Sequence, residues 1–319
     1  MNEVRVKALQ LFNWILLPGI LCLFILRINI NDPHASIVSG GDGLLNLYFL
    51  ENNYKLWSEL FSTGFSDYYS PDFFWPTKNV FAFSDHLFSP GIFYSLIKSF
   101  VKSKSIAFTL WIYGTLLINY WSLRACLCVS NNWRSPFIAS IVTAAAVFSP
   151  VAIQDGLGHV QLLSMFTIGP IVYRLSLIFR RDKIPSQKDL LILLTLLVIQ
   201  STFNIYTCVF IAYCVSVALL IQFAVVVRRF RINPKKNVLH EARKLIHTFR
   251  PRQLLREKNL LLFLSATLLI AILIHLPYLE TINKFGDRGP LDEAQMAQPL
   301  SLLKGSAGLL LKSPFEIIQ

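Results

Sequence analysis

Long apolar runs separated by short polar turns cover most of the chain. The first, residues 8–26, is broken only by Gln10, Asn13 and Pro18. Comparable runs follow at 106–129, 137–153, 162–179, 190–206, 207–227 and 259–279. A helix needs about 20 mostly apolar residues to cross a bilayer, and these runs are close to that length. The pattern therefore predicts an all-α, polytopic helical membrane protein: one transmembrane domain over 1–319 with about seven spans, the first at about 8–27. A very tight outer turn is predicted near Asn204, between the fifth and sixth spans.

One long interruption stands out. Residues 28–105 form the predicted first outer loop, and its polar centre begins at Gly40-Gly41-Asp42-Gly43. Within it, 44–61 has helical periodicity, with Leu45, Tyr48, Leu56 and Leu60 among its apolar positions. Residues 90–101 are too few to span, so they predict a half-helix or an interfacial helix. Sixteen aromatic residues fall between Tyr48 and Tyr94. An aromatic-rich amphipathic segment belongs at the headgroup level, where rings face acyl chains and polar edges face water.

Charge adds direction to this pattern. Only 15% of residues are charged, 54% are hydrophobic and mean hydropathy is +0.52, against about a quarter charged in a soluble domain. The net charge is +12. Residues 228–258 hold eleven Lys or Arg against Glu241 and Glu257, whereas 28–88 hold seven acids against Lys55 and Lys78. Basic residues concentrated in one loop between spans follow the positive-inside rule, so 228–258 is predicted to be a cytoplasmic basic loop. The N-terminus then lies inside and the aromatic loop outside. This distribution argues against a nucleic-acid surface. The five cysteines, Cys22, Cys126, Cys128, Cys208 and Cys214, lie in or beside apolar runs without metal-type spacing, and are expected to pack as small apolar residues. The chain stops at 315–319 without a closing span, which suggests the N-terminal part of a longer protein.

Candidate chemistry gathers on the outer side. Asp42 follows two glycines and precedes a helix expected to start at Gly43. It could cap that helix, act as a general base at the membrane boundary, or do both. Asn46 and Asn53 share its helical face, a polar stripe suited to a sugar or hydroxyl. Asp85-His86, before apolar Leu87-Phe88, could move a proton or hold a divalent ion, or be a solvated turn. Residues 154–161 place Asp155, His159 and Gln161 in a glycine-containing turn facing the same boundary, as a polar site or an ordinary turn. Arg288 and Lys78 are outer-face cations available to a phosphate, although each alone could be a solvated charge. No P-loop, dinucleotide glycine motif, zinc-helix motif or serine-nucleophile motif is present.

The run Gly41-Asp42-Gly43, Asn46, Tyr48, then Phe74-Trp75-Pro76, Ser84-Asp85 and Gly158-His159-Val160-Gln161-Leu162 resembles multi-pass glycosyltransferases of the GT-C type, in particular their uncharacterised bacterial members. The resemblance implies an inverting glycosyltransferase in the bacterial inner (cytoplasmic) membrane, with a polyprenyl-phosphate-linked sugar as donor. The acceptor would be a glycan, lipid or protein. It implies Asp42 as the carboxylate acting on the acceptor, and Arg288, with Lys78 behind it, as cations for the lipid phosphate. Asp85 and His159 match recurrent positions, counted here with the catalytic set. Asn46, Asp155 and Gln161 are the remaining expected substrate-binding residues. The only cofactor expected is a divalent metal ion, which Asp85-His86 could hold. Family members usually have more spans, and often paired acids where this chain has Asp42 alone. The rival expectation is a lipid-linked sugar flippase or a non-catalytic membrane subunit of a polysaccharide assembly complex.

Overall fold

The computed structural model describes residues 3–26, 41–63, 69–70, 86–131, 136–149, 159–180, 186–232 and 258–285. Among these the structure is helical, with no strands. Three helices are long and apolar enough to cross a membrane: Lys104–Val129, Ile205–Val225 and Lys258–Thr281. Lys7–Leu23, Pro136–Val147 and Ile168–Phe179 are apolar but shorter. The described structure thus has three helices of crossing length where the sequence pattern predicts seven spans.

The first helical stretch comprises α1 (Glu3–Leu11), a π-helical turn (Phe12–Leu16) and α2 (Leu17–Leu26). Pro18 explains the wide turn. It has no N–H to give to Trp14, and its ring crowds the carbonyl four residues back. Leu17 instead donates to Phe12 O, which leaves the carbonyls of Asn13 and Trp14 free for partners outside the helix. Tyr120 Oη donates to Asn13 O at 2.8 Å and Trp121 Nε1 to Trp14 O at 2.7 Å.

The expected outer loop contains two helices, α3 (Gly41–Thr63) and α4 (Phe88–Phe100). At about 1.5 Å per residue, α4 is only about 20 Å long, too short to cross, as its sequence predicts. It packs against α3 through Gly91, where a Cβ would come within 2.4 Å of Asn53 Nδ2. Asn53 also donates to Leu87 O at 3.1 Å. Leu87, fully buried, adopts a left-handed backbone (φ 47°), a conformation costing a non-glycine residue about 1–2 kcal/mol. The Asn53 bond and complete burial of the leucine side chain hold it there.

Helix α5 (Lys104–Asn131) is central. It packs on α2, α4, α6 (Pro136–Val147) and α7 (Ile168–Arg180). The α5–α7 crossing is close because residue 169 is glycine: a Cβ there would lie 2.9 Å from Leu123 Cα and from Ser122 O. Small residues at such crossings let backbones approach where apolar solvent gives little drive to association. Helix α8 (Gln187–Phe203) starts with a capping box formed by Ser186 and Asp189. Burial acts to raise the Asp189 pKa, but hydrogen bonds from Ser186 and Arg174 hold its carboxyl below the usual range. Asn204 alone separates α8 from α9 (Ile205–Ile232), the tight turn expected there.

The last helix, α10 (Lys258–Phe285), contains Pro277. The chain divides into compact units Met1–Leu276 and Pro277–Gln319, and the second is described only to Phe285. On α9 and α10, large apolar side chains such as Phe210 (72% exposed), Leu220 (67%) and Leu262 (68%) face outward. Apolar faces of this extent are what a bilayer covers, and they are consistent with a membrane protein.

Candidate functional site

Two segments singled out in the sequence meet. Helix α3 begins at Gly41, two residues before the expected start, so Asp42 is inside its first turn rather than capping it. An acid there is favoured by the helix dipole. The Asp42 side chain lies outside the described residues. Asn46, one turn further on, is buried, and its Nδ2 donates to Gln161 Oε1 at 2.8 Å across 115 residues of sequence.

Gln161 belongs to an irregular strap, residues 159–167, built on a single 3-10 turn (Val160–Leu163). His159 opens it, exposed, with its carbonyl accepting Leu162 N–H at 2.8 Å. Irregular backbone among apolar helices must have its carbonyls satisfied by side chains. Three amides supply this. Asn204 Nδ2 donates to Gln161 O at 2.8 Å, Asn119 Nδ2 to Leu163 O at 2.6 Å, and Gln200 Nε2 to Ser164 O at 2.7 Å. The other end of each amide is also engaged. Met165 N–H donates to Asn119 Oδ1, Thr167 Oγ1 to Gln200 Oε1, and Thr207 N–H to Asn204 Oδ1. The strap is therefore fixed to α5, to α8 and to the start of α9, and Asn46 ties it to α3.

Beside the strap is a cavity of about 310 Å³, with Pro90, Phe93, Trp111, Asn119, Ser164 and Phe203 among its walls. Its surface is almost wholly apolar, from rings and aliphatic groups. Ser164 and Phe203 directly adjoin Leu163 and Asn204, so the cavity and the amide network share a boundary. A second cavity of about 150 Å³ lies across Asn119, against Leu116, Leu163, Met165 and Gly169.

A charged cluster joins α3, α4 and the start of α5. Tyr94 Oη donates to Glu51 Oε1. Lys98 Nζ is 3.6 Å from Glu51 Oε1 and Lys104 Nζ is 3.7 Å from Glu51 Oε2. Burial, with the Glu51 hydrogen bond and charge behind it, pushes the Tyr94 phenol up.

His86 departs from expectation. It is 1% exposed rather than open at a helix mouth. Its Nδ1 accepts Phe88 N–H at 3.0 Å, and its Nε2 lies 3.2 Å from Ser201 O, which assigns the proton to Nε2. With both ring nitrogens so engaged, His86 is not placed to ligate an ion. Burial, and then the neighbouring His275 ring at 5.2 Å, lower its pKa to about 3 against the Ser201 bond. It is neutral at physiological pH. Among the described residues no group of three His, Cys, Asp or Glu could hold a metal ion. Asp85, Lys78, Asp155 and Arg288 lie outside the described residues.

Of the expected site residues, the structure thus joins Asn46 to Gln161 and places His159 at the entry of the same strap. Sequence reading missed Asn119, Gln200, Thr167 and the Glu51 cluster. The available signal was isolated amides inside apolar runs, which are costly unless they have work to do. Comparison of the chain with protein-family models, curated proteins and solved structures gave no match. What fold and site define together is a helical protein, with helices suited to a bilayer, that sets an amide-fixed strap beside an apolar, aromatic-walled slot.

Proposed function

We propose that the protein transfers a sugar from a polyprenyl-phosphate donor to an acceptor hydroxyl at the extracytoplasmic face of the bacterial inner membrane. The observation that carries this reading is the Asn46–Gln161 hydrogen bond. It brings the start of α3, with Asp42 one turn away, to a strap that borders an apolar cavity. A polar patch of amides meeting a greasy slot suits an amphiphilic substrate, a sugar on a lipid chain.

In this reaction Asp42 takes the proton of the acceptor hydroxyl. The oxygen attacks the anomeric carbon, the bond from that carbon to the phosphate oxygen breaks, and the polyprenyl phosphate leaves as an anion. A leaving group already stable as an anion needs little acid help, so positioning and charge stabilisation carry the rest. Arg288 and Lys78 are assigned to that phosphate. Asn46 and Gln161 are assigned to sugar hydroxyls, and His159 and Asp155 to the rim.

The test uses membranes containing the protein and a labelled polyprenyl-phosphate sugar. Asp42→Asn should lower transfer by at least 100-fold, at the lower end of what a positioned general base supplies (about 10²–10⁴), with unchanged thermal unfolding. Full transfer by Asp42→Asn overturns the assignment. Movement of the labelled lipid across the membrane without transfer would replace it with a flippase.

A further inference from the structure

Among the described residues, Arg124 is a buried charge without an acid partner. It is 2% exposed, on the face of α5 turned toward α6 and the first helical stretch. Asn119, five residues earlier, points instead at the strap. Arg124 Nε donates to Ser140 Oγ at 2.8 Å, and its guanidinium carbon stands 4.0 Å from the centre of the Trp14 ring. Nη1 is buried with no acceptor, and no acid among the described residues pairs with it. Arg174 shows the ordinary arrangement, since it meets Asp189 at 2.9 Å. A buried guanidinium without a counter-charge is strongly unfavourable.

A second orphan is on the helical stretch that carries Trp14. Asn13 is 1% exposed, in the π-helical turn next to Trp14, and neither atom of its side-chain amide has a partner. Tyr120, one turn before Arg124 on the same face of α5, donates to Asn13 O and so ties the two together. An arginine fork plus an amide N–H is the donor set of a phosphate receptor. Arg124 is seven residues from the end of α5 at Asn131, about 10 Å along the axis, which is within the reach of lipid headgroups.

We propose that Arg124 and Asn13, with Trp14 as a wall, form a phosphate-binding site separate from the Asn46–Gln161 strap. The phosphate belongs either to a phospholipid headgroup or to free phosphate. The site does not depend on the transfer reaction.

The test places the full chain in phosphatidylcholine nanodiscs. In one arm a fifth of the lipid is replaced by phosphatidylglycerol, and in another inorganic phosphate is added. Phosphatidylglycerol should raise the wild-type Tm by about 3 °C or more, and Arg124→Met and Asn13→Leu should each lose most of that gain. Native mass spectrometry should find one phospholipid retained by the wild type and lost in the variants. An equal Tm rise with inorganic phosphate assigns the site to the free ion, and a rise with the lipid alone assigns it to the headgroup. A wild type indifferent to both overturns the proposal, as does an undiminished gain in the variants, which would place the effect in the basic loop. Asn13→Leu leaves the charge in place, so it decides the matter if Arg124→Met does not fold.

Discussion

Single residues carry measurable weight in this fold. Asn46 is buried against Gln161. Replacing it with Ala strands the Gln161 amide and should cost about 1–3 kcal/mol. The double variant with Gln161→Leu should recover part of that loss, which a double-mutant cycle by thermal unfolding in detergent would read. His86 gives a pH dependence of known sign. Its folded pKa of about 3 lies below the ordinary imidazole value of 6.5, so the neutral ring stabilises the fold fully above pH 6.5. That stabilisation is lost as pH falls from 6.5 toward 3. At pH 5 the loss amounts to about 2 kcal/mol from the 1.5-unit gap below 6.5. Unfolding midpoints at pH 7.5 and 5 should show it, and His86→Gln should flatten the difference.

At the scale of elements, the two close helix approaches differ in how they should respond. At Gly169 the obstacle to a Cβ is the backbone of Leu123 and the Ser122 carbonyl, which cannot swing aside. Gly169→Ala should therefore separate α5 from α7 and lower stability by about 1–3 kcal/mol. At Gly91 the obstacle is the Asn53 side chain. Gly91→Ala should displace the Asn53–Leu87 bond and release the left-handed Leu87, with a smaller loss. The π-helical turn makes a paired prediction. Trp121→Phe leaves Trp14 O unsatisfied and should cost about 1 kcal/mol. In a Pro18→Ala background, where residue 18 can supply the missing N–H, the same change should cost much less.

For the whole molecule, the pattern of apolar runs foretold a helical protein with bilayer-length helices, a tight turn near Asn204 and the short α4. These were legible because length and periodicity are local. The Pro18 turn was visible as a proline but not as a π-helical bulge, since its stability depends on donors from α5. The Asn46–Gln161 contact was legible only as two polar positions expected on one side. Nothing local distinguishes Asn119 or Gln200 from mispacked amides until the strap that they satisfy is in place. His86 misled because a polar residue beside a predicted boundary looks solvated, whereas here Ser201 and the start of α4 enclose it. The charge distribution makes a prediction of orientation that a fusion test decides: reporters fused near residue 70 should be exported, and those fused near 240 should stay inside.

The bulge at Phe12–Leu16 also sets an order of events in time. Its two unmet carbonyls wait for a phenol and an indole encoded 107 residues later. An opening helix folded by itself would lack both partners, which α5 supplies. A nascent chain halted before residue 120 should remain held by the insertion machinery, and one released beyond residue 131 should let go.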